Sequence, residues 1–185
     1  ASRPVLARAY RLPTDDRSRL RVKIYSRSGA IALSRCVPVF ERMGLFVDFE
    51  TGYPIRPQDK PAADAPEIYW VHALLMRSMD GKSIDVTTRG KDVEALFEAV
   101  WQGRLENDAF NKLVLAAGLN PREAGLIRGL AAWRRQSGQD PTEDVQAEAL
   151  MRYPNITRLL IKLFDARFDP KGAKSLDARA AAAQK

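Results

Sequence analysis

The stretch "LRVKIYSRSGAIALSRCVPVFERMGLFVDFE", residues 20–50, holds two strand-like segments on either side of a helix-like one. Apolar and polar side chains alternate over residues 20–25 and again over residues 45–51, which predicts strands with one buried face. Between residues 34 and 43 the apolar side chains recur at three-residue spacing, as on one face of a helix. Ser34 is the predicted N-cap of this helix, and Gly44 the glycine that ends it. This stretch therefore predicts a strand–helix–strand unit.

The next segments add a third strand to this unit, and after them the spacing of the apolar side chains changes from strand-like to helix-like. Residues 52–66 contain four prolines and are predicted to form a loop, followed by a third strand over residues 67–76. Residues 78–90 are polar with two glycines and are predicted to be a mobile loop. From residue 92 onward the apolar period is helical, beginning with a helix over residues 92–102.

Two junctions in the helical half share one pattern of glycine, cap residue, proline and glutamate. In the first, Gly118 precedes Asn120, Pro121 and Glu123; in the second, residues 138, 140, 141 and 143 repeat the same types. Glycine accepts the left-handed conformation after a helix, and proline suits the first helical position. Asparagine or aspartate caps the next helix, and the glutamate bonds back to the cap. The sequence therefore predicts an α+β chain: a sheet-and-helix module followed by an all-helical bundle.

The net charge of +7 is concentrated at the two ends of the chain. Residues 1–28 carry a net +6 and residues 171–185 a net +3, whereas residues 29–170 carry a net −2. Residues 1–18 also lack a sustained period. We therefore expect the ends to be linkers of a longer protein, and a nucleic-acid-binding body is disfavoured.

Several site classes lack a sequence signature. The chain has one histidine and one cysteine, so a Cys/His metal site is not expected, and neither a P-loop nor a GxGxxG motif is present. His72, in a predicted strand, is interpreted as a packed or hydrogen-bonded group rather than a base. Cys36 is interpreted as a buried thiol. Glu106 and Asp108 are interpreted as first-turn acids of a helix.

A helix-turn-helix around Asn120 is the nucleic-acid alternative. Arg122, Arg128, Arg134 and Arg135 follow that turn, but the same helix carries a broad apolar surface that favours burial. We therefore expect these arginines to face solvent or another subunit.

The turn after the first predicted strand is the candidate binding site. The side chain of Arg27 and the backbone amides of Ser28 and Gly29 suit a carboxylate. A simple strand-to-helix turn explains the same residues equally well. No side chain in the chain is predicted to be catalytic.

Residues 20–170 resemble the large bacterial NAD-specific glutamate dehydrogenases. The similarity is most specific between residues 97 and 138. The matching residues there are Trp101, Asn107, Phe110, Asn111, Leu113, Ala116, Gly118, Arg122 and Glu123. The resemblance implies an ACT-like regulatory module over residues 20–104 and a helical motif over residues 105–170, flanked by linkers over residues 1–19 and 171–185.

The resemblance also implies a function for the longer protein. The family converts L-glutamate and NAD to 2-oxoglutarate, ammonium and NADH as a cytoplasmic homo-oligomer. Its catalytic and NAD-binding residues would lie downstream, so this segment alone is expected to be inactive and to bind neither cofactor nor metal. An amino-acid effector is the implied ligand of the module, and its catalytic domain and other subunits are the implied partners; neither nucleic acid nor a membrane is expected.

Two departures from the family pattern stand out. No fourth strand is predicted after the helix that ends near Gly103, so the βαββαβ sheet of an ACT-like module is expected to be incomplete or completed elsewhere. His72 is followed by Ala73 and Leu74, where the family commonly has an acidic and an aromatic residue.

Overall fold

The computed structural model describes residues 5–59, 65–138, 142–169 and 175–182. A four-stranded antiparallel sheet with two helices forms the N-terminal half, and helices form the rest, so the predicted α+β class is confirmed. The elements are β1 (Val5–Tyr10), β2 (Arg19–Ser26), α1 (Leu33–Arg42), β3 (Leu45–Ile55), β4 (Tyr69–Ser78), α2 (Val86–Trp101), α3 (Leu113–Ala116), α4 (Pro121–Gln136), α5 (Glu143–Arg152), α6 (Pro154–Phe168) and α7 (Leu176–Ala182). A short 3-10 helix, Ala109–Lys112, precedes α3.

The sheet order is β1-β2-β4-β3, and β1 comes from the part of the chain predicted to be a linker. That prediction is wrong for Val5–Tyr10, which pairs antiparallel with β2 from Val5↔Ser26 to Tyr10↔Arg21. The segment is short, and two of its six residues are alanine, a weak strand former. Its pairing with β2 rather than its own propensity therefore makes it a strand. β1 thereby supplies the fourth strand of the sheet, at the edge beside β2.

The outer edge of β1 is closed by helix α2. The backbone N–H of Ala7 donates to Glu98 Oε1 at 2.8 Å, and that of Ala9 donates to Glu94 Oε1, also at 2.8 Å. Two glutamates one helical turn apart thus accept two outward-facing N–H groups of the strand. Such groups on an open edge would otherwise be free to pair with another strand.

Helices α1 and α2 pack against each other through a buried aromatic stack. The rings of Phe40 and Phe97, from α1 and α2, lie 4.8 Å apart and nearly parallel, and both side chains are fully buried. The prediction that Ser34 caps α1 is wrong: the cap residue is Ala32, and no side chain bonds the first turn. The helix starts early because the preceding residue, Ile31, is already anchored in the core. Gly44 follows the C-cap with φ of 84°, as predicted.

Two predicted loops are shorter than expected. β3 continues to Ile55, because it pairs with β4 as far as Ile55↔Tyr69. Helix α2 begins at Val86, since Asp85 caps it by accepting bonds from two backbone N–H groups of its first turn. The prediction of a mobile loop over residues 78–90 is therefore wrong for the second half of that range, which is helical. The first half is held by backbone hydrogen bonds, such as the one from the Met79 N–H to the Gly44 carbonyl at 2.9 Å.

The first helical junction has the predicted capping chemistry. Gly118 has φ of 68°, the N–H of Glu123 donates to Asn120 Oδ1 at 2.9 Å, and the N–H of Asn120 donates to Glu123 Oε2 at 2.7 Å. At the second junction, Asp140 and Pro141 lie outside the described residues, and α5 begins at Glu143. The predicted C-terminal linker contains the short helix α7.

Candidate functional site

The predicted carboxylate site is an exposed turn between β2 and α1. Arg27 and Ser28 are exposed, and Gly29 has φ of 106°, a conformation that favours glycine. Nothing lies within 4 Å of the position that a Cβ of Gly29 would occupy. The N–H of Ser28, however, donates to Ser26 Oγ at 3.2 Å. The three predicted residues thus lie together, but one of the two amides assigned to a ligand is already bonded within the turn.

A buried histidine on β4 anchors the chain that follows this turn. His72 Nε2 accepts the backbone N–H of Ile31 at 2.9 Å, so the ring proton must lie on Nδ1. Nδ1 faces Glu50 Oε1 at 2.7 Å, which makes this carboxylate its acceptor. Both ring nitrogens are therefore engaged, as expected for a hydrogen-bonded core histidine, and the network joins β3, β4 and the turn before α1.

Cys36 faces the core from α1 and is fully buried. Burial and, to a smaller extent, the negative charge of Glu50 together raise the pKa of its thiol to about 12. At neutral pH the side chain is a protonated thiol without nucleophilic character. Within the described parts of the chain, no three histidine, cysteine or acidic side chains cluster as metal ligands would.

The arginines after the first junction do not form one solvated face. Arg128, whose side chain is only 13% exposed, donates from Nη2 to Asp108 Oδ1 at 3.0 Å and to Asn111 Oδ1 at 2.8 Å. The expectation of a solvent-facing side chain is therefore wrong for Arg128, because the carboxylate of Asp108 draws it toward the 3-10 helix. Arg135 lies nearer the surface and pairs with Glu143.

An exposed apolar surface covers one side of helices α4, α5 and α6, and we call it the helical surface. Its members are Trp133, Val145, Ile156, Leu159, Leu160 and Leu163. Trp133 is 68% exposed and Leu159 60% exposed. A groove of about 440 Å³ runs between the three helices, lined by residues such as Trp133, Val145 and Leu160. Contiguous apolar patches of this kind mark interaction sites, unlike scattered apolar residues.

Helix α6 carries apolar side chains on two of its sides, and only one of these sides is buried in the chain. Thr157 and Ile161 are buried on one side of the helix, and Ile156, Leu160 and Leu163 lie exposed on another. A helix with apolar side chains on two sides is normally buried on both. Among the residues that the structure describes, no helix has the length and apolarity needed to cross a bilayer.

Comparisons with known proteins match both halves of the chain to one enzyme family. A family model of the glutamate dehydrogenase ACT3 domain matches residues 4–89, and a model of glutamate dehydrogenase helical motif 3 matches residues 105–170. The NAD-specific glutamate dehydrogenase of Halomonas elongata is 34% identical over 168 residues, and that of Pseudomonas aeruginosa is 31% identical over 166 residues. Each alignment covers 90% of this chain.

The chain belongs to the NAD-specific glutamate dehydrogenase family. A third relative with that name, from Mycobacterium tuberculosis, is 31% identical over 162 residues, or 82% of the chain. The chain spans about 10% of the length of each of these three relatives. Its two matched parts correspond to an ACT domain and a helical motif of these longer relatives.

Three sets of tertiary contacts in the chain were not predicted. They are the His72–Glu50 pair, the closure of β1 by Glu94 and Glu98, and the contact of Arg89 Nη1 with the Gly118 carbonyl at 2.6 Å. Each joins residues more than twenty positions apart, so no local spacing marks it. The only signal is the spacing of the two glutamates, which is equally typical of a solvated helix face.

Proposed function

We propose that the chain is the regulatory and assembly segment of an NAD-dependent glutamate dehydrogenase. The whole protein would convert L-glutamate, NAD and water to 2-oxoglutarate, ammonium and NADH, as a cytoplasmic homo-oligomer. The three relatives are named NAD-specific glutamate dehydrogenases, which supports the reaction and the cofactor. Catalytic and NAD-binding residues would belong to the remainder of the longer protein.

The helical surface is the observation that carries the assembly role. Side chains such as Trp133 and Val145 are too exposed to stabilise this chain strongly, yet they line one groove between packed helices. Tryptophan is also a frequent energetic anchor of protein interfaces. We propose that the rest of the enzyme, from the same or another subunit, covers this surface.

The regulatory role rests on the turn at Arg27, Ser28 and Gly29. Arg27 offers an exposed guanidinium to the carboxylate of an amino-acid effector, and the His72 bond to Ile31 ties the end of this turn to the sheet. Calorimetry with a panel of amino acids tests the site. Heat of binding that is lost in Arg27→Met but kept in Arg56→Met supports it, and no heat with any amino acid removes it.

A structural module without ligand binding is the second candidate. The bond from the Ser28 N–H to Ser26 Oγ favours it, because the turn satisfies this donor without a ligand. Nucleic-acid binding by α4 is a weaker candidate, since Arg128 is held by Asp108 and Asn111 instead of facing solvent. Binding of duplex DNA that weakens steeply with salt would revive it.

The proposed activity is tested by comparing the full-length protein with the 185-residue chain. Full-length protein should form NADH when L-glutamate and NAD are both supplied, and the chain alone should not. Turnover by the isolated chain would overturn the assignment of the catalytic residues to the remainder of the protein. Absence of turnover by the full-length protein would overturn the proposed activity itself.

A further inference from the structure

A cavity of about 320 Å³ lies where the sheet module meets the helical half. The module lines it with Met43, Gly44 and the segment from Ser78 to Ile84, and the helical half lines it with residues that include Lys112 and Met151. Ser78 pairs with the first residue of β3, at the far end of the sheet from the turn at residues 27–29. We call this space the junction cavity; it is separate from the proposed effector turn.

Lys112 is the unusual group in this cavity. Its side chain is half-buried, and its Cγ lies 3.9 Å from the position that a Cβ of Gly44 would occupy. Within the described parts of the chain, its ammonium group has neither a carboxylate nor a hydrogen-bond acceptor as partner. An ammonium group without an acceptor from the chain is available to pair with an anion from outside it, and such charge-assisted hydrogen bonds are among the strong ones.

The other charges of the cavity are already paired. Asp80 Oδ2 lies 3.0 Å from Lys82 Nζ, and Asp80 Oδ1 accepts both the Ser78 hydroxyl at 2.5 Å and the Lys82 N–H at 3.0 Å. Both carboxylate oxygens of Asp80 therefore have partners, and neither pairs with Lys112. Two lysines and one aspartate leave the cavity with one net positive charge, which matches a ligand with one negative charge.

The remaining walls are apolar and adaptable. Three of the chain's four methionines, Met43, Met79 and Met151, line the cavity, together with Ile84 and Leu115. Methionine is flexible and polarizable, so it adjusts to apolar ligands of different shape. The volume is at the lower end of the roughly 300–1,000 Å³ typical of small-molecule pockets, which favours a small ligand.

We propose that the junction cavity binds a small monocarboxylate with a short aliphatic body. The carboxylate pairs with Lys112, and the aliphatic body packs on the methionines. Because the two halves of the chain both contribute walls, the bound molecule strengthens their contact. This binding is a property of the chain itself, and it stands independently of the activity proposed for the full-length protein.

Methyl NMR of methionine-labelled chain, titrated with 4-methylpentanoate, tests the proposal. The methyl signals of Met43, Met79 and Met151 should shift, whereas that of Met76, buried within the sheet core, should not. The neutral isostere 4-methylpentanamide should bind at least about tenfold more weakly, since hydrogen bonds to charged groups contribute roughly 1.5–3 kcal/mol. Equal binding of acid and amide, or the absence of any shift with acids from propanoate to 4-methylpentanoate, overturns it.

Variants assign the effect to the lysine. Lys112→Met should weaken 4-methylpentanoate binding about tenfold or more, and Lys112→Arg should keep most of it because the charge is retained. Lys91→Met is the matched control, since Lys91 is exposed on α2 away from the cavity, and should bind as the parent chain does. If Lys112→Met loses its fold, as judged by circular dichroism, Lys112→Gln takes its place as the variant without the charge. Binding of 4-methylpentanoate that is equally strong in the folded neutral variant and in Lys91→Met counts against the site.

Discussion

Replacing Glu94 and Glu98 with alanine removes the two carboxylates that close the outer edge of β1. The change leaves the N–H groups of Ala7 and Ala9 without the acceptors they have at 2.8 Å. Alanine is the best helix former, so α2 itself should not weaken. Any loss of stability therefore reports on the strand edge and not on the helix.

The expected cost differs between the two positions. Ala7 is fully buried, so its N–H finds no water, and Glu98→Ala should lower the free energy of unfolding by about 1.5–3 kcal/mol. Ala9 is only half-buried and water can partly replace the carboxylate, so Glu94→Ala should cost about 1–2 kcal/mol. The double variant should lose a large part of the roughly 5–15 kcal/mol that stabilises a typical domain.

Urea denaturation and amide hydrogen exchange measure these effects. Exchange at Ala7 and Ala9 should accelerate in the double variant before exchange in β2 does, and the freed edge should promote self-association on size exclusion. Glu148→Ala is the control, because this glutamate is exposed on α5 and should change stability by less than about 0.5 kcal/mol. Unchanged protection of both amides in the double variant would show that the carboxylates do not hold the edge.

Three further predictions concern single side chains. Burial raises the pKa of the Cys36 thiol to about 12, so iodoacetamide should label this side chain only after the chain is unfolded in urea. Fast labelling of the folded chain at pH 8 would contradict this prediction. Asn120→Ala removes the helix cap and should lower the free energy of unfolding, measured by thermal unfolding, by about 1 kcal/mol. Asn120→Asp keeps a capping oxygen and should be about as stable as the parent chain. Equal stability of the two variants would contradict the capping argument. Hydrogen bonds from Arg21 lower the pKa of Asp15 from 3.8 to about 2, so its contribution to stability is present above pH 3.8 and is lost as the pH falls toward 2. Asp15→Asn should therefore flatten the acid limb of the stability curve, and an unchanged limb would argue against this pairing.

The elements that the sequence predicts well are those with local signals. The alternation in β2 and the capping box at Asn120 depend on neighbours within a few residues, and the structure reproduces them. The predicted alternation in β3 is wrong beyond Val47, because an irregularity between Val47 and Phe49 shifts the register and leaves Phe49 63% exposed. β1 was missed because its strand character comes from pairing with β2 rather than from its composition. The start of α1 was misplaced because the anchoring of Ile31 by His72 decides it, and that contact spans 41 positions.

The candidate site was predicted only in part. Residues 27–29 do form the expected turn, but the bond from Ser28 to Ser26 was not foreseen, since it depends on a side-chain conformation. The burial of Arg128 likewise follows from where Asp108 lies in space. Such choices between solvent and an internal partner are settled by tertiary packing, which spacing along the chain does not encode.

The most direct test of the assembly role compares Trp133→Ala in the isolated chain and in the full-length protein. In the chain, Trp133 is 68% exposed, so the substitution should change the free energy of unfolding by less than about 0.5 kcal/mol. In the full-length protein, loss of an interface tryptophan should weaken assembly by about 2 kcal/mol or more, seen as a smaller assembled mass or faster thermal inactivation. A full-length variant with unchanged assembly and inactivation would contradict the proposal that the helical surface is covered in the enzyme.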